Sequence, residues 1–359
     1  MKAIVSRFQR FRDVLRRTLG IWLFDKDKTT QFDLTKTASI LFIRNDAKLG
    51  DAIVSSGLIR KLRKHRPDIT IKVLTIPAME SLFKEHFGVD QVIHISKRPS
   101  YSEIRQVSEQ VGQVDMVVSL NLDMKMKDIY LLNCLNSMVN VGVDQGVKLV
   151  NVNIAANIEN QHYADKFDYV ASLVGVNGPS ENYIVPLLQN SIEKVNDFIQ
   201  QNQIHDYVLL NPFGSGHSRK LNKSSISRII ETIEANDPSL NVVLLSSPDT
   251  RQQLTEMNLT SNKVYHFDKS ASIYDAMAVI NQAKFVVTVD TSIVHIATGL
   301  GIPQVAIYSD DKINYQNWHP NSGLSSILFT MKGINNFTSQ KFLDCLNYLE
   351  IDFTEGIQG

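Results

Sequence analysis

Short runs rich in β-branched and aliphatic residues alternate with amphipathic stretches along most of this 359-residue chain. A first series predicts strands at 38–44, 70–74, 92–95, 116–120 and 139–143, and helices at 51–64 and 163–174. A second series predicts strands at 207–211, 242–245, 263–267, 285–289 and 304–308, and helices near 223–235, 272–281, 291–299 and 339–349. Such alternation is typical of a parallel sheet with helices on both faces. We therefore predict an α/β protein with two doubly wound domains in tandem.

The length also fits two domains, at roughly 100–200 residues each. The predicted organisation is an N-terminal helix and polar linker over 1–37, one domain over 38–185 and a second over 186–359. Two doubly wound domains that face one another would place a ligand cleft between the carboxyl ends of their strands.

The N-terminal segment 1–24 has the pattern of a basic amphipathic helix. An apolar stripe recurs at helical spacing, and four arginines lie largely off it; these residues are Ile4, Phe8, Phe11, Leu15, Leu19 and Trp22, and Arg7, Arg10, Arg16 and Arg17. Two interpretations stay open: a helix lying in a membrane interface, or one docked on the protein itself with solvated arginines. A secretory signal is excluded because charged and apolar residues interleave.

The net charge of zero conceals an asymmetry between the two ends of the chain. Residues 1–72 contain 17 Lys and Arg against 7 Asp and Glu, so this part favours an anionic partner such as a phospholipid surface or a phosphorylated glycan. The sequence contains no zinc finger, RNA-recognition signature or basic-aromatic array that indicates nucleic acid. Only two cysteines, Cys134 and Cys345, are present, which fits a reducing compartment, and no apolar run is long enough to span a bilayer.

The first candidate site follows the first predicted strand, where Arg44 precedes Lys48, Leu49, Gly50 and Asp51. Gly50 permits a tight turn, and Asp51 stands where a helix begins. The carboxylate is either a helix N-cap or, at the carboxyl end of a strand, a base that takes a proton from an attacking hydroxyl. No dinucleotide fingerprint and no P-loop motif occurs.

The second candidate site is the loop Asn211–Ser227, NPFGSGHSRKLNKSSIS. Backbone N–H groups, hydroxyls such as that of Ser215, and a lysine at the strand end, Lys220, suit a diphosphate. His217, Arg219 and Lys223 add positive charge before the next helix. The alternative is a solvated basic loop. His217 is a possible contact of this loop, whereas His162 is interpreted as structural.

The third candidate site begins where a buried predicted strand ends at Asp290. Thr291 and Ser292 then begin a helix, whose N–H groups and dipole favour an anion. His295 lies one turn further on, on the side of Thr291. Asp290 could be only an N-cap and His295 only a core histidine, but the cluster at a strand end favours a ligand site.

These three sites, in this order, resemble the pattern of glycosyltransferase family 9, the family of the ADP-heptose:lipopolysaccharide heptosyltransferases. The resemblance runs from about residue 38 to 310. It includes an arginine and L-G-D opening a helix (Arg44, Leu49–Asp51), an N-P loop followed by a lysine (Asn211, Lys220), and D-[ST]-G-x-x-H-x-A before a G-x-P strand start (Asp290–Ala297, Gly301 and Pro303).

The resemblance implies a GT-B architecture of two Rossmann-like domains with the active site in the cleft between them. It implies that Asp51 is the general base, that Lys220 binds the donor diphosphate, and that the segment from Asp290 holds the donor sugar and phosphates. The full set of expected donor contacts is Asn211, Ser215, Lys220, Asp290, Thr291, Ser292 and His295. Acceptor contacts are expected at Arg44, Lys48, Gly50 and Arg60, whereas Arg63, Lys64 and Arg66 fit a solvated helix face.

Two departures from the family pattern lie on the donor side. Ser292 stands where the family usually has glycine, and Leu221 follows Lys220 where the family often has tryptophan. Both bear on the donor sugar more than on the reaction type.

The function expected from this resemblance is inverting transfer of a heptose from ADP-heptose to an inner-core sugar, Kdo or heptose, of lipopolysaccharide or lipooligosaccharide. No cofactor or metal is expected, because the single D-x-D, Asp25-Lys26-Asp27, lies in the polar linker. The protein is expected on the cytoplasmic face of the inner membrane, bound through residues 1–24 near its lipid-anchored glycan acceptor. The alternatives are transfer of another nucleotide-activated sugar, or a catalytically silent membrane-associated protein that binds glycans or nucleotides.

Overall fold

The computed structural model describes residues 2–29, 31–45, 48–259 and 261–349, with side chains for all of these except 2–10 and 217. The chain forms two compact units, Met1–Glu181 (unit 1) and Asn182–Gly359 (unit 2). The boundary predicted from the sequence, between residues 185 and 186, lies just beyond this division.

Unit 1 is an α/β unit with six strands. Its helices are α1 (Lys2–Phe24), α2 (Leu49–His65), α3 (Tyr101–Val111), α4 (Met126–Cys134) and α5 (Tyr163–Leu173). Its strands are β1 (Ser39–Arg44), β2 (Thr70–Thr75), β3 (Gln91–His94), β4 (Gln113–Ser119), β5 (Asn136–Gly142) and β6 (Val152–Asn153). All neighbouring strands pair in parallel, in the order β3-β2-β1-β4-β5-β6. This is the strand order of a Rossmann sheet.

Unit 2 repeats the same design. Its helices are α6 (Gln189–Gln201), α7 (Lys223–Asn236), α8 (Arg251–Glu256), α9 (Ile273–Asn281), α10 (Ser292–Leu300), α11 (Lys312–Trp318) and α12 (Ser339–Tyr348). Its strands are β7 (Tyr207–Asn211), β8 (Asn241–Leu245), β9 (Val264–Phe267), β10 (Phe285–Val289), β11 (Gln304–Ser309) and β12 (Ser325–Thr330). The parallel order β12-β11-β10-β7-β8-β9 is the order of unit 1, read from the opposite edge.

The central strands of unit 2 show why the apolar runs form strands. Every residue of β7 and of β10 is buried, as expected where helices cover both faces of a parallel sheet. The edge strand β12 was not predicted; its buried residues alternate with half-buried or exposed ones. The two-residue strand β6 was also not predicted, and it is too short to have a pattern.

Helix α1 docks on unit 1 through one face. Gly20 lies against α4 so closely that a Cβ there would be 2.6 Å from the Cα of Met126. Ile21 and Phe24 pack on the apolar core of unit 1, and the ring of Phe24 lies 4.7 Å from that of Tyr130. No helix among the described residues is long and apolar enough to cross a membrane.

Arg17, predicted to lie on a solvated or membrane-facing side, instead pairs inside unit 1. Its guanidinium donates to both carboxylate oxygens of Asp144, at 2.5 and 2.6 Å, and to the carbonyl of Met124 at 2.8 Å. The Asp144 carboxylate also accepts from the backbone N–H groups of Met124 and Gly146. Burial alone would raise the pKa of Asp144, but these hydrogen bonds hold it below its ordinary value.

Replacing Asp144 with alanine is expected to destabilise the protein by about 3 kcal/mol, because Arg17 and two backbone N–H groups lose their acceptor.

The lowered pKa of Asp144 also predicts that the stability of the protein depends on pH. The stabilisation from Asp144 is present above its unfolded-state pKa, about 4, and is lost as the pH falls toward the folded-state value. Urea unfolding at several pH values measures both effects. Equal stability of the variant and the wild type at pH 7 would contradict the structural role of the pair.

The polar linker is also bound to unit 1. The Asp25 carboxylate accepts the backbone N–H groups of Lys148 and Leu149, both at 2.9 Å, and Asp27 lies 3.1 Å from the Lys148 ammonium. The D-x-D sequence therefore fastens the linker to a surface loop, and it is not only solvated charge as predicted.

Candidate functional site

In each unit, the sequence motifs lie at the carboxyl ends of the strands, at the point where the strand order reverses. In doubly wound sheets, ligands bind at the carboxyl ends of the strands where the strand order reverses. That point lies between β1 and β4 in unit 1 and between β7 and β10 in unit 2. The L-G-D motif follows β1, the N-P loop follows β7 and the D-T-S segment follows β10.

In unit 1, Asp51 lies inside the first turn of α2 and is not its N-cap. The helix begins at Leu49, and its N-cap is Lys48, whose side chain makes no capping hydrogen bond. The capping interpretation of Asp51 is therefore wrong. A carboxylate in the first turn still interacts favourably with the helix dipole.

Two cations surround the Asp51 carboxylate. Its Oδ2 atom lies 3.7 Å from an Arg44 Nη atom and 3.8 Å from the Lys48 ammonium. The Arg44 guanidinium also lies 5.6 Å from the ring centre of Phe167 on α5, and its side chain is mostly buried. The ammonium of Lys48 is mostly exposed. This corner of unit 1 thus joins one carboxylate to two positive charges.

The other predicted acceptor contacts divide into two groups. Gly50 is the second residue of α2 and adjoins Asp51. Arg60 lies nine residues after Asp51 on the same helix, about 13 Å along the axis, so the structure does not bring it to the Asp51 corner.

The lysine and arginine residues that follow Arg60 form ion pairs within unit 1. They are Lys61 with Asp168, Arg63 with Asp90, Lys64 with Glu181, and Arg66, just after α2, with Asp68. Arg63, Lys64 and Arg66, predicted to form a solvated face, lie at or near the surface, and each pairs there with a carboxylate. The imidazole of His162, predicted to be structural, accepts the N–H of Ala164 at the start of α5.

In unit 2, Thr291 and not Asp290 caps α10. The Thr291 hydroxyl accepts the N–H of Ile293 at 3.2 Å. The amide of Asn211 donates to the hydroxyls of Thr288 and Thr291, at 2.9 and 3.2 Å. Asn211 therefore joins the ends of β7 and β10 and fixes the residue from which α10 begins.

The loop after β7 folds back as a short hairpin. Phe213 and Lys220 form an antiparallel bridge, and exposed Ser215 lies near its tip. The Lys220 ammonium lies 3.0 Å from the Gln253 amide oxygen on α8 and 5.7 Å from the ring centre of Phe213. The side chain of His217, a predicted contact of this loop, lies outside the described part of the chain.

Asp290 is a largely buried carboxylate with two polar partners. One oxygen accepts from the Asn314 amide at 2.8 Å and lies 3.2 Å from an Arg219 Nη atom. Burial raises the pKa of Asp290, and Arg219 and Asn314 offset part of that rise. The carboxylate therefore lies in an environment that favours nearby cations and hydrogen-bond donors.

The last two predicted donor contacts differ in exposure. Ser292, the first residue of α10, is half-buried, so a ligand at the start of the helix can contact it. His295 is buried, with its ring edge-on to Trp318 at 5.9 Å. The structure thus places Asn211, Asp290, Thr291 and Ser292 at the start of α10, with His295 buried one turn further on. The Lys220 ammonium instead lies against α8, on the other side of β7.

Sequence reasoning missed Arg219 and Asn314 as neighbours of Asp290. Arg219 was noted only as one positive charge of a loop, and Asn314 lies on a helix that the pattern did not reveal. Asn314 is 24 residues after Asp290, in α11, which follows the neighbouring strand β11. A polar residue in the segment after β11, the strand next to β10, was the signal that could have indicated it.

Comparison with known proteins gives the family. Residues 104–338, more than half of the chain, match glycosyltransferase family 9 (heptosyltransferase). The matched range contains both motifs of unit 2 and begins after Leu49-Gly50-Asp51. An Escherichia coli (strain K12) protein named "Putative lipopolysaccharide heptosyltransferase 4" is 23% identical over 332 residues, which cover 88% of this chain and 90% of that relative.

Two solved structures from E. coli share the fold. The ADP-heptose lps heptosyltransferase II superposes with a TM-score of 0.67 at 17% identity, covering 87% of this chain and 98% of the other. Heptosyltransferase WaaC with ADP gives 0.65 at 14% identity, covering 86% and 99%. These likenesses confirm the predicted GT-B fold class, with one Rossmann-like sheet in each unit. The family match shows that this chain is a glycosyltransferase and belongs to glycosyltransferase family 9, the heptosyltransferase family.

Proposed function

We propose that this glycosyltransferase moves a heptose from ADP-heptose to an inner-core sugar of lipopolysaccharide or lipooligosaccharide, either Kdo or heptose. The observation that carries the proposal is the pair of switch-point sites, a carboxylate beside cations in unit 1 and a cationic hairpin beside a helix start in unit 2. The names of the relatives support heptose and ADP as parts of the donor.

In the proposed reaction, an acceptor hydroxyl oxygen attacks the anomeric carbon of the donor while Asp51 takes the hydroxyl proton. The bond from that carbon to the diphosphate oxygen breaks, and ADP leaves with the bonding electrons. A single displacement of this kind inverts the anomeric configuration. Lys220 and the N–H groups at the start of α10 stabilise the charge that grows on the leaving diphosphate.

Metal-independent transfer is part of the proposal. The charge that a divalent cation would neutralise is instead matched by Lys220 and the dipole of α10. Among the described residues, no three His, Cys, Asp or Glu side chains lie close enough together to hold one metal ion. Retention of transfer in the presence of a chelator tests this part directly.

Calorimetric titration with ADP, UDP and GDP in a chelator tests the donor assignment. The proposal predicts that ADP binds best. Preference for UDP or GDP would contradict the ADP-heptose donor and support transfer of another sugar. If none of the three binds, the assignment of unit 2 as the donor-binding unit is wrong.

We also propose that α1 holds the enzyme on an anionic membrane surface at the cytoplasmic face, where a lipid-anchored acceptor is found. The face of α1 that does not dock on unit 1 exposes a stripe of large apolar side chains: Phe11, Val14, Leu15, Leu19, Trp22 and Leu23. Trp22 is 78% exposed and Phe11 is 67% exposed. Exposed Arg12 and Arg16 lie on the same helix. An apolar stripe with basic residues beside it is the composition of a helix that binds anionic lipid surfaces.

Replacing Phe11, Leu15 and Trp22 together with glutamine is expected to abolish sedimentation of the full chain with anionic vesicles. These side chains project away from unit 1, so activity on a delipidated acceptor is expected to stay within about twofold. Point substitutions are preferable to deletion of 1–24, because deletion would uncover the core contacts of Ile21 and Phe24.

The matched control replaces three exposed apolar residues of unit 2 with glutamine, namely Leu324, Met331 and Tyr348. Equal vesicle binding by the α1 variant and this control would show that α1 is not the membrane contact.

A further inference from the structure

The hairpin after β7 is seated directly on the residue that caps α10. The N–H of Gly214 donates to the carbonyl of Arg219 at 2.7 Å, and the N–H of Leu221 donates to the carbonyl of Pro212 at 2.9 Å. A Cβ on Gly214 would lie 2.8 Å from Cγ2 of Thr291. The missing side chain at Gly214 therefore lets the hairpin approach the start of α10.

This seating brings Arg219 to Asp290. An Nη atom of Arg219 lies 3.2 Å from the Asp290 carboxylate, and the same atom donates to the amide oxygen of Asn314 at 3.4 Å. Asn314 donates in turn to Asp290. The Asp290 side chain is 11% exposed, whereas that of Arg219 is 34% exposed. Asp290 is thus the buried end of the cluster, Asn314 is half-buried, and the guanidinium is the more exposed end.

The Arg219 guanidinium has N–H donors that these contacts do not use. Arginine carries five N–H donors in a rigid fork, and within the described ranges only one Nη atom of Arg219 has a polar partner. A planar fork suits phosphate oxygens, which it can bind through two parallel hydrogen bonds. Lys220, the next residue, supplies a second cation at the same strand end. The start of α10 adds a positive dipole end.

We propose that Arg219 is a second cation that binds the donor diphosphate, and that Asp290 and Asn314 are positioning residues that hold its guanidinium. The inference rests on the proposed function in taking the bound anion to be the diphosphate of a nucleotide sugar. It adds Arg219 to the predicted donor contacts and gives Asp290 a role that does not involve the donor sugar.

The direction in which ADP affinity changes when Asp290 is replaced shows whether this carboxylate positions Arg219. By Coulomb's law alone, removing a negative charge beside a diphosphate strengthens ADP binding. If Asp290 instead positions Arg219, its replacement with isosteric asparagine weakens ADP binding, because the fork loses its anchor. ADP carries no sugar, so a role of Asp290 in binding the sugar does not contribute to this measurement.

Calorimetric titration of the full chain with ADP tests the inference. Arg219→Gln is expected to weaken ADP binding about 10- to 100-fold, the loss of a hydrogen-bonded charge pair. Asp290→Asn is expected to weaken binding in the wild-type background and to have little further effect when combined with Arg219→Gln. The matched control is Lys223→Gln, which removes a nearby positive charge whose ammonium instead bonds the carbonyl of Asn258, and it is expected to stay within about threefold.

Two results overturn the inference: ADP binding by Arg219→Gln equal to that of the Lys223→Gln control, or tighter ADP binding by Asp290→Asn in both backgrounds. The test needs neither heptose nor acceptor, so it is separable from the proposed function. If the wild type prefers UDP, the ADP assignment fails, and the same variants titrated with UDP still decide the role of Arg219.

Discussion

Replacing Asp51 with asparagine is expected to lower kcat by about 10²- to 10⁴-fold, the usual contribution of a positioned general base. Asparagine has nearly the same shape, but its neutral amide cannot take the proton from the hydroxyl of the acceptor sugar. Asp51 lies in unit 1, so ADP binding by unit 2 is expected to be unchanged. The loss of one first-turn carboxylate is expected to reduce stability by less than about 1 kcal/mol. Steady-state kinetics, ADP titration and urea unfolding of the same protein separate these effects.

The control for this prediction is Asp68→Asn, which removes another carboxylate of unit 1 that is paired with an arginine. Its kcat is expected to be close to that of the wild type. If Asp51→Asn retains most of its turnover, the carboxylate is not the base. If its loss of rate comes entirely from weaker donor binding, Asp51 belongs to a different step.

Replacing Lys220 with methionine is expected to lower kcat/KM by about 10²- to 10³-fold, as removal of one stabilising group for a developing anion typically does. Among the described residues of unit 2, the ammonium contacts a neutral amide and an aromatic face, from Gln253 and Phe213. Neither partner neutralises its charge, so the full charge is available to a diphosphate. Methionine keeps the length and apolar stem of the side chain, and the fold is expected to be unaffected.

The measurement for Lys220 is kcat and KM for the nucleotide-sugar donor, with Lys223→Met as the control. An increase in donor KM together with a fall in kcat indicates contact with the diphosphate in both the ground state and the transition state. A donor KM equal to that of the wild type, with kcat unchanged, would remove Lys220 from the site.

Much of the fold was predictable because its signals are local. Apolar runs such as Tyr207–Asn211 and Phe285–Val289 form strands with the predicted bounds, since both faces of a parallel strand are covered. The apolar stripe of α1 was also visible as a helical repeat. What the pattern did not reveal is that the helix docks through its other face, which carries Arg17, Gly20 and Phe24. The pairing of Arg17 with Asp144 joins residues 127 positions apart.

The sequence indicated where the candidate residues lie relative to the strands, but not which contacts they make. The motifs indicated Asp51, Lys220 and Asp290 because each follows a strand. The capping alternative left open for Asp51 and for Asp290 was wrong, since the helices begin one or two residues away from the predicted positions. Helix ends depend on capping and packing that single residues do not reveal. The contact of Arg219 with Asp290 depends on a hairpin that only the folded unit forms.

The decisive measurement is transfer of heptose itself. The full chain is incubated with ADP-heptose and a delipidated inner-core acceptor in the presence of a chelator, and the products are followed by ADP release, acceptor mass and anomeric NMR. We expect one heptose added per ADP released, with the anomeric configuration inverted, and about 10²- to 10⁴-fold slower product formation by Asp51→Asn. A heptosylated product of retained configuration, or glycosylation of the acceptor from a UDP- or GDP-sugar and not from ADP-heptose, would show that the enzyme does not catalyse the proposed reaction.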